Sequence, residues 1–444
     1  MFDSISCKAR RSESDLRFSV NAGDLNSVAA RGLPSEICGI KSLVGSRVTL
    51  WALEANRQTI LARKEYFSPD SHKSLVDRPL RIALIAPLYE SVPPKLYGGT
   101  ERVVAYIAEE LARRGHEVTL FASGDSTAKV PLRAGFPKAL RLTGLDYMGP
   151  AYHLPMLSEI YEHAERFDII HSHVDFLAFP FSRLVSVPTV STMHGRLDLD
   201  AFLPLYRSYT DLPLVSISDE QRRPLLFMNW IATVYHGLPK DLLRFNPGSG
   251  TYLAFLGRIA PEKRPDLAIE IARRSGIPLK IAAKVDRVDR DYFEAVIKPL
   301  LSTPRVEFLG EINDSEKQDF LGGALALLFT VDWPEPFGLA MIEAMACGTP
   351  VIARPCGSVP EVLRPGVTGL IASGIDDLVR AAAEVGKLSR QGCREVFEKR
   401  FTSAVMAANY ERVYYRLIDE RRNATAVTGR MEGRRTQRCE TSEY

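Results

Sequence analysis

Glu335 and Glu343 are separated by seven residues and bracket a Pro-Phe-Gly turn and the start of a predicted helix. This spacing places Glu335 in the loop before the helix and Glu343 about two turns inside it. The backbone amides of Phe337, Gly338 and Leu339 lie at the helix N-terminus, where N–H groups without a partner in the helix attract anions and hydroxyl oxygens. The carboxylate of Glu343 can accept two hydrogen bonds, which suits the vicinal hydroxyls of a ribose. Either glutamate alone would be explained as a turn residue or a surface charge. The complete string predicts a site for hydroxyls and anions.

Two cations form a second candidate site. Arg258 and Lys263 lie between a predicted strand and a helix that begins near Pro265, so both are expected at a helix N-terminus. A diphosphate leaving group gains negative charge as its bond to a sugar breaks, and cations already in place stabilise that charge without reorganising. Both residues could instead be ordinary surface charges, because further arginines follow closely. Position alone leaves both interpretations open.

Glycines and histidines mark the carboxyl ends of other predicted strands. Gly98 and Gly99 follow the first strand and precede a helix, where the absence of side chains lets a bulky ligand approach the backbone. His194 follows one strand, and His171 and His173 end another. A His-x-His pair could bind a metal, but no third ligand and no suitably placed Asp-x-Asp pair can be identified. We therefore expect His171 and His173 to line a cleft, and no metal ion to be bound.

Repeated strand–helix units must position these residues. A strand, a glycine loop, an amphipathic helix and a second strand follow one another over 81–121, which is a βαβ unit and predicts a parallel sheet. The alternation restarts after Gly237, which predicts an α/β protein with two facing Rossmann-like domains and ligands in the cleft between them. A last helix at 402–418 carries tyrosines that can pack across the cleft. The predicted strands are 81–86, 117–121, 168–171, 188–192, 214–217, 252–256, 279–283, 306–309, 324–329, 350–353 and 369–371.

Length and composition exclude several classes of protein. The 444 residues suffice for two or three domains, and 45% hydrophobic with 25% charged residues is ordinary for a globular protein. The formal net charge of +3 is too small for a protein whose whole surface binds polyanions, so no nucleic-acid partner is expected. The six cysteines form no CxxC pair, which argues against a zinc ribbon or a disulfide scaffold and favours a reducing cytoplasm.

The two ends of the chain differ from its middle. Residues 1–78 show little strand pattern and are interpreted as a poorly ordered N-terminal extension, and 419–444 as a disordered basic tail. Arginine-containing stretches such as 113–114 and 133–141 fit either a solvated surface or peripheral contact with an anionic membrane. The predicted location is therefore the cytoplasm, including the inner face of the membrane.

Four stretches of the sequence resemble motifs of one protein family and occur in the same order as in that family. The resemblance spans about residues 80–418. The string that holds Glu335 and Glu343 resembles the EX7E signature of retaining glycosyltransferases of family 4 (GT4), which have the GT-B fold. The other stretches resemble the N-terminal glycine pair, the donor-phosphate loop and a glycine turn of that family. The four stretches are 97–102, 255–264, 335–350 and 357–361.

The resemblance implies an acceptor domain at 79–238, a nucleotide-sugar domain at 239–400 and a crossing helix at 401–418. It implies transfer of a hexose from a nucleotide diphosphate sugar, first of all UDP-glucose, to an acceptor hydroxyl, with retention and without a metal or other cofactor. By resemblance, Arg258 and Lys263 hold the diphosphate. The implied catalytic residues are Glu335, His194, Arg258 and Lys263, and the implied donor-binding residues are Gly98, Gly99, Arg258, Lys263, Phe337, Gly338, Leu339 and Glu343.

Other functions fit parts of this sequence. Phosphorylases and sugar-nucleotide epimerases also have GT-B folds, and release of a free sugar or an epimer without acceptor would favour them. A dehydrogenase would need a GxGxxG turn after a strand, and the sequence has none in that place. A catalytically silent binding protein would not need Glu335, Glu343, Arg258 and Lys263 together. The acceptor itself, a saccharide, a lipid or a small molecule, is left open.

Overall fold

Two parallel β-sheets form the framework of the chain in the computed structural model, which describes residues 78–95 and 98–440. For 425–440 it describes the backbone only. The extension predicted at 1–78 lies outside the described residues apart from its last position, and so does Tyr97 of the glycine motif.

The first sheet has seven parallel strands. They are β1 (Arg81–Ile85), β2 (Glu117–Ser123), β3 (Leu132–Phe136), β4 (Ile169–Ser172), β5 (Thr189–Thr192), β6 (Leu214–Ser216) and β7 (Trp230–Thr233). Their spatial order is β3-β2-β1-β4-β5-β6-β7. The inner strand β1 has four fully buried residues in succession, as expected for a parallel strand covered on both faces. Helices α1 (Gly99–Arg113) and α2 (Gly149–Glu162) are the longest connections between these strands.

The second sheet has six parallel strands. They are β8 (Tyr252–Arg258), β9 (Leu279–Lys284), β10 (Val306–Gly310), β11 (Ala324–Phe329), β12 (Val351–Ala353) and β13 (Gly369–Ile371), in the spatial order β10-β9-β8-β11-β12-β13. Its helices are α3 (Pro265–Ser275), a helical segment at 290–300 with a π-turn at Phe293–Ile297, α4 (Asp314–Gly322), α5 (Leu339–Ala346), α6 (Ile375–Glu384) and α7 (Arg390–Arg400).

Both sheets have the strand order of doubly wound α/β folds, in which ligands bind where the order reverses. In the first sheet this point lies between β1 and β4, and in the second between β8 and β11. The loops after these four strands are therefore the expected walls of a ligand site. The prediction of two Rossmann-like domains is confirmed.

Each predicted strand is present, but the sequence analysis missed β3 and β7. Both are edge strands of the first sheet, and each has partly exposed residues in place of a continuous buried run. Edge strands need no apolar run on both faces, so the pattern that revealed the central strands is absent from them.

The connector between the sheets pairs with the segment that returns to the first domain. The predicted boundary at 238 lies in this connector, between β7 and β8. The amide of Leu238 donates to the carbonyl of Phe401 (2.9 Å), and the amide of Ser403 donates to the carbonyl of Leu238 (2.7 Å). Helix α8 (Ser403–Glu440) then packs against α1, with Tyr410 and Tyr414 fully buried. A C-terminal helix thus crosses back to the first domain, as predicted.

The end of this helix differs from the prediction. Helix α8 continues beyond residue 418 to Glu440, so the disordered tail predicted at 419–444 is wrong for 419–440. This segment contains no proline and is rich in arginine and glutamate, which have high helix propensity, so the helix need not end where its buried face does. Residues 441–444 lie outside the described residues.

Candidate active site

The residues predicted for the site lie at the carboxyl ends of strands in both sheets. Gly98 ends the loop after β1 and Gly99 begins α1. His173 lies in the loop after β4 and His194 in that after β5; Arg258 ends β8, Lys263 follows it, and Glu335 follows β11. Apart from β5, which lies next to β4, these strands flank the two reversal points, which the fold makes available to a ligand.

Glu335 is held by two donors on one oxygen. Lys263 Nζ forms an ion pair with Glu335 Oε2, and the indole Nε1 of Trp333 donates to the same oxygen at 2.7 Å. The ammonium of Lys263 also lies 5.1 Å from the centre of the Trp333 ring, within range of a cation–π interaction. From the first domain, the guanidinium of Arg196 lies 5.7 Å from the same ring. Trp333, which the sequence analysis did not identify, therefore joins the cation and the carboxylate.

The loop that carries Glu335 rests on the glycine turn at 357–361. A Cβ atom on Gly357 would lie 2.3 Å from the amide nitrogen of Glu335, so any side chain there would displace the loop. The amide of Ser358 donates to the carbonyl of Glu335 (3.0 Å), and its hydroxyl donates to the carbonyl of Phe337 (2.8 Å). The function of this glycine turn is thus to support the loop between Glu335 and α5.

Arg258 lies among carboxylates. Its Nη2 donates to Glu262 Oε1 at 2.6 Å, and its guanidinium lies 3.5 Å from Asp289 and 3.9 Å from Asp286. Asp286 also pairs with Lys284, at 2.9 Å. The prediction that Arg258 and Lys263 share a helix N-terminus is wrong for Arg258, because it is the last residue of β8, and Lys263 alone lies in the 3₁₀ turn ahead of α3.

Glu343 lies in an ion-pair network that reaches the first domain. Its Oε1 accepts a hydrogen bond from Lys317 Nζ at 2.8 Å, and the side chain is only 6% exposed. Lys317 also lies 3.3 Å from Asp314, which pairs with Arg102 of α1. The predicted ribose carboxylate is therefore linked to the first domain through two residues of α4.

The glycine pair and the turn before α5 face each other. Gly98 caps α1, and a Cβ atom on Gly99 would lie 3.6 Å from Leu339, so Gly99 lies next to the first residue of α5. Gly338 has φ +82°, a left-handed conformation that glycine adopts without strain. The side chain of Phe337 is buried against His236, with ring centres 4.9 Å apart, so only its backbone is available to a donor.

His194 is part of a row of four histidines. Its Nε2 lies 2.7 Å from Nδ1 of His173, and its ring stacks on that of His236 at 5.2 Å. The ring of His171 lies 4.0 Å from that of His173. Burial lowers the pKa of His194 to about 3 and that of the other three well below the ordinary value, so all four rings are neutral at physiological pH.

His171 does not line the cleft, contrary to the prediction. It is fully buried, and its ring nitrogens bond to the hydroxyls of Tyr414 (2.6 Å) and Thr192 (2.7 Å). The hydroxyl of Tyr410 lies 3.1 Å from that of Thr192. His171 therefore joins β4 and β5 to helix α8, which has returned from the second domain.

Glu361 makes a contact that the sequence could not reveal. Its two oxygens accept hydrogen bonds from the backbone amides of Asp219 and Glu220, each at 2.7 Å, and the hydroxyl of Tyr235 donates to it at 3.2 Å. In the sequence this residue was identified only as part of the glycine turn at 357–361, without a role of its own. In the structure it joins the glycine turn of the second domain to the first domain.

Within 78–95 and 98–440, no group of three or more His, Cys, Asp and Glu side chains is arranged to hold a metal ion. In the same part of the chain, no helix combines the length and apolar character that crossing a bilayer requires. Metal independence and membrane contact stay predictions.

Two family models match adjoining parts of the chain. The model of Glycosyltransferase Family 4 matches residues 97–263, and that of Glycosyl transferases group 1 matches 244–399. The D-inositol 3-phosphate glycosyltransferases of Mycobacterium tuberculosis and Mycobacterium bovis are each 27% identical to the chain over 430 residues, covering 80% of this chain and 88% of the relative.

Solved structures show the same fold. AviGT4, a glycosyltransferase involved in avilamycin A biosynthesis, aligns with a TM-score of 0.61 at 21% identity and covers 77% of this chain and 98% of its own. Sucrose-phosphate synthase from Thermosynechococcus elongatus (0.63, 18%, covering 76% and 99%) and Anabaena HepE in complex with UDP and glucose (0.60, 17%, covering 75% and 99%) are similar. With the family matches and the cleft geometry, they lead to one conclusion. The chain belongs to the GT4-type glycosyltransferases and is an enzyme with the GT-B fold.

Proposed function

We propose that the enzyme transfers a hexose from a UDP-sugar, with UDP-glucose as the first candidate, to an acceptor hydroxyl, with retention and without a metal ion. The observation that carries this proposal is the Lys263–Glu335 pair at the reversal point of the second sheet. A cation and a carboxylate in contact supply the two functions that a sugar diphosphate requires, namely charge compensation for the phosphates and hydrogen-bond acceptance from the sugar hydroxyls.

The similar structures support a uridine nucleotide as the donor. HepE has been solved with UDP, with UDP and glucose, and with UDP-glucose, and it covers about three quarters of this chain. Because its identity to this chain is 17%, the preference for UDP over GDP is a proposal.

Lys263 and Arg258 are the proposed ligands of the diphosphate. The leaving diphosphate gains charge as the bond to the anomeric carbon breaks, and fixed cations stabilise this charge in the transition state. Arg258 lies close to three carboxylates, so it reaches the phosphate by exchanging one of them for a phosphate oxygen. Glu335 orients hydroxyls of the sugar, and Glu343, whose Oε1 is occupied by Lys317, presents its other oxygen to the ribose.

Retention is proposed to proceed by internal return. A retaining glycosidase places a carboxylate nucleophile close to the anomeric carbon, whereas Glu335 is engaged by Lys263 and Trp333 and is assigned to the sugar hydroxyls. In the proposed step the bond from the anomeric carbon to the phosphate oxygen breaks. The acceptor oxygen then bonds to that carbon on the same face, and its proton passes to the departing phosphate oxygen.

The acceptor is proposed to bind on the first domain, opposite the donor. The relatives named for D-inositol 3-phosphate make a hydroxyl-rich small molecule a reasonable first choice, and saccharide and lipid acceptors are to be tested beside it. A location in the cytoplasm, including the inner membrane face, is part of the same proposal.

The test is transfer of radiolabelled sugar from UDP-glucose to acceptors in a cell extract, with the products identified by mass spectrometry and the anomeric configuration read by NMR. We expect an α-linked product from the α-linked donor, and turnover that falls in both Glu335→Gln and Arg258→Ala. Unchanged turnover in both variants would contradict the residue assignment. Release of an epimer, or of free sugar without any acceptor, would contradict transfer and favour an epimerase or a phosphorylase.

A further inference from the structure

Glu361 contacts three parts of the molecule at once. Its carboxylate accepts hydrogen bonds from the consecutive amides of Asp219 and Glu220, as described above, and from the hydroxyl of Tyr235 in the connector. Its backbone carbonyl accepts from Arg400 Nη2 at 2.8 Å, directly before the segment that returns to the first domain. Hydrogen bonds from amides to a carboxylate are charge-assisted, and they are shorter and stronger than those between neutral groups. The first domain, the connector and the second domain therefore meet at this residue.

The same turn of the first domain also holds the loop after β5. Gln221, the next residue in the turn, is buried, and its Nε2 donates to the carbonyl oxygens of Met193 and Gly195, each at 2.9 Å. The loop after β5 faces the second domain, as the contact between Arg196 and the ring of Trp333 shows. The position of this loop therefore depends on the turn that Glu361 holds.

On the side of the second domain, a short path of hydrogen bonds leads from Glu361 to the loop of Glu335. The amide of Glu361 donates to the carbonyl of Ser358 at 2.9 Å. Ser358 in turn donates to the carbonyls of Glu335 and Phe337, as described above. Because Gly357 packs directly against the backbone of Glu335, a shift of the turn at 357–361 displaces this loop as well.

We propose that Glu361 is a positioning residue that sets the spacing between the Glu335 loop, on the donor side, and the loop after β5, on the acceptor side. It bonds to the turn that holds one loop and belongs to the turn that supports the other, so its loss frees the two loops to move apart. The loops already approach each other closely. Side chains of both domains line one small cavity between them, among them Arg196, Gln221, Pro334 and Pro336. The terms donor and acceptor rest on the proposed function, whereas the coupling of the two loops can be measured without turnover.

The direct test is amide hydrogen exchange of the full-length enzyme, read by mass spectrometry with fragmentation to single residues. The amides of Asp219, Glu220 and Ser358 report on the two sides of the contact. In Glu361→Ala we expect all three to exchange at least about tenfold faster, while amides in β8 and β9 keep their protection. Glu384→Ala changes an exposed glutamate of the same domain and should exchange like the wild type. Unchanged exchange at Ser358 in Glu361→Ala would overturn the coupling, whatever happens at 219 and 220.

Kinetics supply the second test, with radiolabelled UDP-glucose and the acceptors of a cell extract. Because the contact acts on alignment, the rate of transfer should fall about 10–100-fold in Glu361→Ala, with a much smaller change in the Kd of UDP-glucose. The ratio of free glucose to transfer product should rise, because water attacks without being held by the acceptor side. Glu361→Gln keeps one oxygen that accepts from one of the two amides, so its losses should be smaller.

This ratio separates positioning from a loss of stability. A smaller fraction of folded enzyme would reduce both products equally, so an unchanged ratio in Glu361→Ala would refute the positioning role. Full transfer in this variant would refute it as well. If the wild-type enzyme uses no sugar nucleotide at all, the proposed function fails, and hydrogen exchange still decides whether Glu361 couples the two loops.

Discussion

The side chain of Glu335 shows how much of this site depends on single contacts. One of its oxygens receives both the Lys263 ammonium and the Trp333 indole N–H, while its backbone carbonyl is bonded to Ser358. Lys263, in turn, lies over the Trp333 ring. A donor that binds here exchanges existing hydrogen bonds for new ones, which requires little reorganisation of the protein.

Glu335→Gln and Lys263→Met should each lower kcat by about 100-fold, because each removes a charge that meets the reacting sugar diphosphate. The double variant should lose much less than the product of the two effects, since the residues are in contact and act as a unit. Glu307→Gln, which changes an exposed glutamate of the same domain, is the matched control. Strictly multiplicative losses in steady-state kinetics would show that the pair does not act together.

The neutral histidines predict a pH dependence of stability. Burial lowers the pKa of His236 well below its ordinary value of 6.5, so below pH 6.5 the unfolded chain binds a proton that the native state does not. Its contribution to the free energy of unfolding should therefore fall by about 2 kcal/mol between pH 7.5 and pH 5. Urea unfolding of His236→Phe should show a pH dependence weaker by that amount.

The pH dependence of stability must be compared between the wild-type protein and His236→Phe, because two carboxyl groups change the stability in the opposite direction as the pH falls. Burial raises the pKa of Glu101 to about 7 and that of Asp175 to about 6, so the native state binds their protons more tightly than the unfolded chain and gains stability as the pH falls. The same pH dependence in both proteins would contradict the neutral state assigned to His236.

Helices α4 and α5 carry the contact between Lys317 and Glu343, two side chains that are 13% and 6% exposed. Lys317→Met leaves the Glu343 carboxylate buried without its partner and should cost about 3 kcal/mol of unfolding free energy. Adding Glu343→Gln to this variant should recover much of the loss, because the unpaired charge is then absent. Urea denaturation measures the free energy of unfolding of both variants. No recovery in the double variant would show that the unpaired Glu343 charge does not cause the loss of stability in Lys317→Met.

Glu411 of helix α8 contacts Arg114 and His116 of the first domain. Burial raises the pKa of this carboxyl group, but hydrogen bonds from His116 (2.8 Å) and Arg114 (2.5 Å) outweigh it and lower the pKa from 4.5 to about 2. A lowered carboxyl pKa stabilises the native state above pH 4.5, and this stabilisation is lost as the pH falls towards 2.

Glu411→Gln should therefore lower the free energy of unfolding by about 1–2 kcal/mol at pH 7, after allowance for partial exposure, and have little effect near pH 2.5. Arg416, farther along α8, pairs with Glu420 on the exposed surface, so Glu420→Gln is a matched control with little expected effect at either pH. An equal loss at both pH values in Glu411→Gln would mean that packing, not charge, explains the effect.

For the molecule as a whole, the sequence predicts local structure, but it does not predict contacts between residues that are far apart in the chain. Buried central strands and the glycine pair at 98–99 leave local patterns, and these predictions match the two sheets and their reversal points. Glu361 bonds to amides about 140 residues away, and Arg102 pairs with Asp314 from the other domain. Neither partner is marked by spacing, because the fold alone brings them together.

The sequence also could not predict which side chains surround a predicted site residue. The spacing of Arg258 and Lys263 indicated a phosphate site, but the carboxylates around Arg258 come from the turn after β8 and the loop after β9. The order of charged residues along the chain does not show which of them form ion pairs in the folded protein.

The most direct test of the central claim is binding of UDP-glucose to the wild-type enzyme and to Lys263→Met by isothermal titration calorimetry, with Glu307→Gln and NAD as controls. Lys263 supplies a charge-assisted contact to the diphosphate, so its loss should weaken binding at least about tenfold. We predict that UDP-glucose binds wild-type and Glu307→Gln proteins alike, binds Lys263→Met at least tenfold more weakly, and that NAD does not bind. Equal affinity of UDP-glucose for wild-type and Lys263→Met, or no binding of any nucleotide sugar, would contradict a donor site at the cleft between the two sheets.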